Sequence, residues 1–246
     1  TNDAWELAVE LKALNDVRKD LTVKGTEEAI ELVEQSSLAE DLVLVVYLPE
    51  CHESLAGIIA GRLKEKYNKP AIVLTKAEHG VKGSARSIAE YNIYEELTKC
   101  KEYLLKFGGH PMAAGLSLEE NQIEPLRQAL NANTVLTKED IIPKVSIDIV
   151  LPLGYVNETM IEELELLEPF GKGNAKPIFA DRNIRILSGK VIGKNANVLK
   201  MTICNAYGKT MEALYFGDIL QFKKFVSDKF SPLDYDNMLA GKPNEI

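Results

Sequence analysis

The sequence predicts a helical lead-in, an α/β domain with helices flanking its sheet, and then a small β-rich domain. Three observations carry this expectation. A strand–helix–strand run fills residues 42–74, a polar break falls around Asn131–Asp140, and three short strands crowd into 182–216. Strand, crossover helix and strand form a right-handed parallel unit. Short strands punctuated by glycine form a small barrel or sandwich.

Taken in order, residues 4–18 space Ala4, Leu7, Ala8, Leu11 and Leu14 three and four apart, a helical pattern. Gly25 interrupts it, and Thr26 reads as an N-cap that restarts it. This acidic stretch, residues 1–35, reads as a connector from a domain upstream. Residues 42–48 are apolar and β-branched throughout, as in a strand covered on both faces. A helix over 54–67 and a strand at 71–74 complete the unit. A Gly- and Lys-rich loop, a helix near 92–106, a Gly-Gly-His-Pro loop, a strand near 112–118 and a helix over 121–131 close a domain of residues 36–132. The second domain, 141–246, opens with an alternating strand at 144–150 and an acidic helix at 157–168 that Pro169 ends. Strands follow at 182–193, 197–205 and 209–216, and nothing from Asp228 onward has a strand pattern. The expectation is an incomplete five-stranded barrel.

Composition is that of a soluble globular chain: 246 residues, 46% apolar, 27% charged. The start, Thr1-Asn2-Asp3, has no signal-peptide character, and no run is long and apolar enough to span a membrane. Three scattered cysteines argue for reduced thiols. The net charge of −8 argues against a general polyanion binder, but the charge is uneven. Lys172, Lys176, Arg182, Arg185, Lys190, Lys194 and Lys200 face only Asp181 within residues 171–200. This basic block, with Phe179 and Tyr207 nearby, suits tracking of a single nucleic-acid strand; a solvated face balanced by the acidic helix at 157–168 is the alternative.

Gly108-Gly109-His110-Pro111-Met112-Ala113-Ala114-Gly115 is the sharpest local signal. Paired glycines permit close approach of backbone to a ligand, and the histidine can donate to an anionic oxygen. A helix C-cap followed by a tight strand accounts for the same residues. In Gly83-Ser84-Ala85-Arg86-Ser87, a hydroxyl and a guanidinium two residues apart suit a phosphate, or form a solvated loop. His52 stands where a strand ends and a helix begins, a common place for ligands in α/β sheets and also for unemployed helix-entry residues. With His52, His79 and His110 the only histidines and no Asp-rich strand end, no metal site is expected.

The G-G-H-x-x-A-A-G run resembles the signature of the DHHA1 domain of the DHH phosphoesterase superfamily. Residues 83–87 resemble that domain's G-S-x-R-S segment in the RecJ branch, and residues 52–63 its strand-end histidine and helix. Leu166-Leu167-Glu168-Pro169-Phe170-Gly171-Lys172-Gly173-Asn174 resembles the entry to the RecJ OB-fold domain. The resemblance implies a mixed-sheet DHHA1 domain followed by an OB-like barrel. It further implies the substrate-binding half of a cytoplasmic, single-stranded-DNA-specific 5′→3′ exonuclease of recombination and repair. The alternatives are a phosphoesterase acting on short oligonucleotides or cyclic dinucleotides, or a non-catalytic strand-binding module. By the resemblance, His110 contacts a phosphate near the scissile bond and thereby assists catalysis. Gly108 and Gly109 admit that phosphate, Ser84 and Arg86 hold another, and His52 lies at the substrate site. Lys172, Arg185, Lys190, Lys194 and Lys200 grip the strand. Mn²⁺ or Mg²⁺ would sit in an upstream DHH domain of the same chain and no cofactor in this region, which alone is expected to hydrolyse nothing. Single-strand-binding protein is a further implied partner. One departure stands out: the family's G-W-H-x-G-V is Glu50-Cys51-His52-Glu53-Ser54-Leu55 here, without the aromatic and the glycines and with acids at 50 and 53.

Overall fold

The computed structural model describes residues 2–246. It divides into two compact units, one ending at Lys144 and one beginning at Val145.

The first unit opens with helix α1 (Asn2–Glu34). The predicted break at Gly25 does not occur. A Cβ there would lie 2.8 Å from Ile59 Cδ1, so this glycine lets two helices touch. Thr26 is no N-cap, because its hydroxyl donates to the Thr22 carbonyl one turn back. Strand β1 (Leu44–Tyr47), helix α2 (Ala56–Tyr67) and strand β2 (Ala71–Lys76) follow, and β1 and β2 are parallel. Next come β3 (Val81–Arg86), α3 (Ile93–Lys99), β4 (Lys106–His110), β5 (Ala113–Leu118) and α4 (Ile123–Asn133).

Two expectations are corrected here. Residues 83–86 lie in β3 rather than a loop. Gly83 is glycine because a Cβ would meet Leu74 Cδ2 at 2.4 Å. Gly108-Gly109-His110 also lie in a strand, and the helix expected to run to 106 ends at Lys99. β4 and β5 form a hairpin whose His110 and Ala113 pair around Pro111-Met112, so pairing with β5 overrides the loop-like composition.

The five strands make one mixed sheet in the order β1-β2-β3-β5-β4, antiparallel from β2 onward. Strand alternation sends side chains to two cores. On one side, Leu44, Val46 and Val73 pack under α2 and the end of α1, against Ile59, Leu63 and Ala29. On the other, Ile72, Leu74, Val81, Ala85, Leu116 and Leu118 pack against Leu97 of α3 and Leu126 and Leu130 of α4. Asn131 ties α4 to the sheet: its Oδ1 accepts from the N–H groups of Leu42 and Val43, and its Nδ2 donates to the Val43 and Arg127 carbonyls.

In the second unit, strand β6 (Ile149–Val150) is shorter than the predicted 144–150. It pairs in parallel with β7 (Phe179–Ala180), and helix α5 (Glu158–Glu165) lies between them in sequence. Strands β8 (Arg185–Ile192), β9 (Val198–Cys204) and β10 (Thr210–Tyr215) form an antiparallel sheet in the order β10-β9-β8. Two helices complete the unit, α6 (Ile219–Lys229) and α7 (Asp234–Leu239). Val226, Tyr235 and Met238 of these helices bury Leu199 of β9. Composition around 217–240 hid them, although Ile219, Phe222 and Val226 keep a helical spacing.

Candidate nucleic-acid interface

In the first unit, Val81 and Ala85 of β3 point into a core, so Lys82, Ser84 and Arg86 share the opposite face. On β5 the core takes Ala114, Leu116 and Leu118, which leaves Ala113, Gly115 and Ser117 on that face. On β4 Phe107 turns inward, and Lys106, Gly108 and His110 turn outward. The register lines these nine residues up in three rows: Lys82–Ser117–Lys106, Ser84–Gly115–Gly108 and Arg86–Ala113–His110. With strands about 4.8 Å apart, the rows form a patch about 10 Å wide. Basic side chains stand at the ends of the two outer rows, and the middle row has almost no side-chain bulk.

The glycines separate into two kinds. A Cβ on Gly109 would fall 2.2 Å from the Ala113 carbonyl oxygen and 2.6 Å from Ala114 Cα, so the hairpin itself requires that glycine. A Cβ on Gly108 or Gly115 would meet nothing within 4 Å, and both residues are exposed. Packing inside the chain asks for no glycine at either place. An open, bare backbone is what a closely approaching ligand needs.

Arg86 and Ser84 sit over the first turn of α2. A Cβ on Gly57 would lie 2.8 Å from Arg86 Nη2 and 3.3 Å from Ser84 Oγ. The helix has no acidic residue in that turn and no side-chain cap. A guanidinium and a hydroxyl side by side suit the oxygens of an anion. Arg86 also donates to the Ala85 carbonyl at 2.8 Å, which holds its side chain in place. His110 is exposed, and its Nδ1 accepts the Met112 N–H at 3.3 Å. That bond assigns the neutral ring's proton to Nε2, free to donate outward.

His52 is not brought into the rows. Its Nδ1 accepts the Ser54 N–H at 3.2 Å at the turn before α2. It lines a cleft with Glu50, Lys76 and Glu78, while a neighbouring cleft of about 350 Å³ covers Ser84 and Gly115. Lys82, Lys106 and Ser117 were missed as candidates; the signal was their strand parity with Ser84 and His110.

In the second unit, a β-bulge between Ile186 and Ser188 pairs Arg185 with Cys204, Ser188 with Thr202 and Lys190 with Lys200. Arg185, Lys190 and Lys200 therefore share one sheet face, opposite the face that α6 and α7 cover. Lys190 and Lys200 stand directly across from each other, a repulsive pairing. The Glu212 carboxylate at 2.6 Å from Lys200 Nζ offsets part of it. Lys172 and Lys194 lie in exposed turns outside this face. The loop that carries Lys172 is closed by Asn174, whose Nδ2 donates to the Leu167 and Pro169 carbonyls, so Pro169–Asn174 has a structural task of its own. Tyr207 is almost fully exposed in the β9–β10 turn, whereas Phe179 lines an apolar cleft of about 520 Å³ beside α5.

Among the described residues, no group of three or more His, Cys, Asp or Glu side chains could hold a metal ion, and no helix is long and apolar enough to cross a membrane.

The DHHA1 domain family matches residues 40–135, and the RecJ OB domain family matches residues 147–235. The chain carries a DHHA1 domain followed by a RecJ OB domain. It is 41% identical over 207 residues to the single-stranded-DNA-specific exonuclease RecJ of Bacillus subtilis, a match covering 82% of this chain and 26% of that protein. Its identity to RecJ of Escherichia coli is 34% over 205 residues, covering 78% of this chain and 35% of the relative. The crystal structure of RecJ from Thermus thermophilus in complex with Mg²⁺ superposes with a TM-score of 0.67 at 26% identity, covering 85% of this chain and 32% of the other. The same protein in complex with Mn²⁺ gives a TM-score of 0.64. The chain thus spans about a quarter to a third of the RecJ proteins it matches. A DHHA1-type mixed sheet followed by an OB-like β-rich unit is the fold class read from the sequence.

Proposed function

We propose that this chain is the strand-gripping part of a RecJ-type single-stranded-DNA exonuclease. The observation that carries the reading is the glycine-floored row Ser84–Gly115–Gly108 between rows ending in Lys82, Lys106, Arg86 and His110. Such a surface suits the phosphates of a nucleic-acid strand. Ser84 and Arg86, backed by the start of α2, hold one phosphate. The bare backbone at Gly108 and Gly115 lets the strand lie close, and His110 donates from Nε2 to a phosphate oxygen and so assists its hydrolysis. Arg185, Lys190 and Lys200 offer the RecJ OB domain a second basic surface, with Lys172 and Lys194 adding charge from its turns.

Hydrolysis of the phosphodiester then belongs to a DHH domain outside the residues described here. The greater length of the relatives and the Mg²⁺ and Mn²⁺ complexes of the Thermus protein support that division. The described residues offer no donor set for such an ion, so none of the roles above passes through a metal.

The test is binding of a short oligothymidylate by the 246-residue chain, followed by fluorescence anisotropy across a series of NaCl concentrations. Binding that weakens with salt, weakens further in Arg86→Gln and proceeds without strand cleavage in added Mn²⁺ is the expected result. Salt-independent binding, or cleavage by the pure chain, would overturn the assignment of roles.

A further inference from the structure

Among the described residues, Lys82 is the one cation of the three rows that already has an acidic partner on this unit. Its Nζ lies 2.9 Å from Glu53 Oε2, and both side chains are about half exposed, at 56% and 50%. The hydrogen bond from Lys82, and then its charge, hold the Glu53 carboxyl below the usual carboxylate range.

The pair also has a place in the surface. The cleft over Ser84 and Gly115 and the cleft beside Glu50, His52, Lys76 and Glu78 share two lining residues, Glu53 and Lys82. The ion pair is thus the partition between them.

We infer that Lys82 is a further phosphate ligand of the DHHA1 face, and that Glu53 holds it in reserve by competing with the phosphate for its ammonium group. The inference rests on the phosphate-face reading above. Lys82 and Ser84 are alternate residues of one strand, so their side chains rise from the same face about 6.6 Å apart. A long, flexible lysine can therefore turn from Glu53 to an anion above Ser84 without backbone motion. An exposed pair of this kind is weak and yields to a competing anion. The anion is what charge places: Glu50 and Glu78 repel it from the far side of the partition, whereas the near side offers the Ser84 hydroxyl, and the lysine follows the anion. Glu53 thereby acts as a specificity residue: it favours strands that present a phosphate at Ser84 and penalises weaker anions.

The experiment measures oligothymidylate binding by the whole chain in Glu53→Gln, Lys82→Gln, the double variant and Arg86→Gln. Glu53→Gln should tighten binding about threefold at low salt, the scale of an exposed pair. It should also steepen the logarithmic salt dependence by about 0.7, the increment for one phosphate on a single strand. Both gains should vanish in the Lys82→Gln background. An unchanged or weaker affinity in Glu53→Gln overturns the inference. So does a gain that survives in the Lys82→Gln background, because that would be a general effect of removing negative charge. Arg86→Gln separates the two levels: if it leaves binding intact, the phosphate face fails and this inference with it. If it weakens binding while Glu53→Gln has no effect, only the Lys82–Glu53 competition fails.

Discussion

Adding one methyl group to each of three glycines should have opposite consequences for folding and for binding. In Gly109→Ala the new Cβ would overlap backbone atoms, at 2.2 Å from the Ala113 carbonyl and 2.6 Å from Ala114 Cα. Backbone cannot swing aside as a side chain can, so the β4–β5 hairpin must shift. Overpacking of this kind costs about 1–3 kcal/mol, and in a unit of this size each kcal/mol lowers Tm by about 2–4 °C. A fall of about 2–12 °C is expected. Gly108→Ala and Gly115→Ala place their Cβ in open space. Each should leave Tm unchanged or raise it slightly, since alanine restrains the unfolded chain by about 0.4–1 kcal/mol relative to glycine. Their penalty should appear in oligothymidylate affinity, where a methyl group holds the strand off the sheet. Calorimetry and anisotropy on the same three proteins check both halves. Alanines at 108 and 115 that bind normally would refute the idea that these glycines serve a ligand. A Gly109→Ala protein that melts like the parent would refute the packing argument.

Other perturbations have equally definite outcomes. Replacing Lys190 and Lys200 by Ala should flatten the logarithmic salt dependence of binding by about 0.7 for each phosphate left without its cation, measured by anisotropy. Asn131→Ala removes three hydrogen bonds between α4 and residues 42–43 just before β1, with a fourth inside α4, and leaves buried backbone groups unpaired; a loss of about 1–3 kcal/mol should be read in urea unfolding. Burial, then the Glu34 carboxylate, pushes the Tyr67 phenol up to about 12. The folded state therefore keeps a proton that the unfolded state loses near 10. That contribution to stability is intact below about pH 10 and declines as pH rises towards 12. Absorbance titration should show a late phenolic step that Tyr67→Phe abolishes. In a longer DNA-hydrolysing protein containing this chain, His110→Ala should lower kcat by about 10²–10³, the scale for losing one donor to a reacting oxygen.

Much of this was legible in sequence, and the exceptions have physical causes. The continuous apolar run 42–48 and the Ala71–Leu74 run announced β1 and β2, because strands buried on both faces have little freedom of composition. β3 and β4 were read as loops, since Gly83, Gly108 and Gly109 carry a loop's composition while cross-strand pairing decides their conformation. Gly25 misled for a related reason: its absent side chain serves contact with Ile59 of another helix, a fact local pattern cannot contain. For the site, spacing alone put Ser84 and Arg86 on one face. The alignment of that face with Gly115, Gly108 and His110 depends on the register of three strands. Lys82 went unnoticed because its relevance lies in the same register and in a partner 29 residues away in sequence.

The bulge in β8 settles an arithmetical problem. Side chains an odd number of steps apart on a regular strand emerge on opposite sides, and five steps separate Arg185 from Lys190. Bulging the surplus residue, Leu187, out of the pairing leaves an even count between the paired positions. Deleting Leu187 would therefore straighten the strand and leave all three cations together. Ironing the bulge out with Leu187 retained would turn Arg185 over towards the helices. In this unit the side on which charge gathers is a matter of parity, and the bulge keeps it.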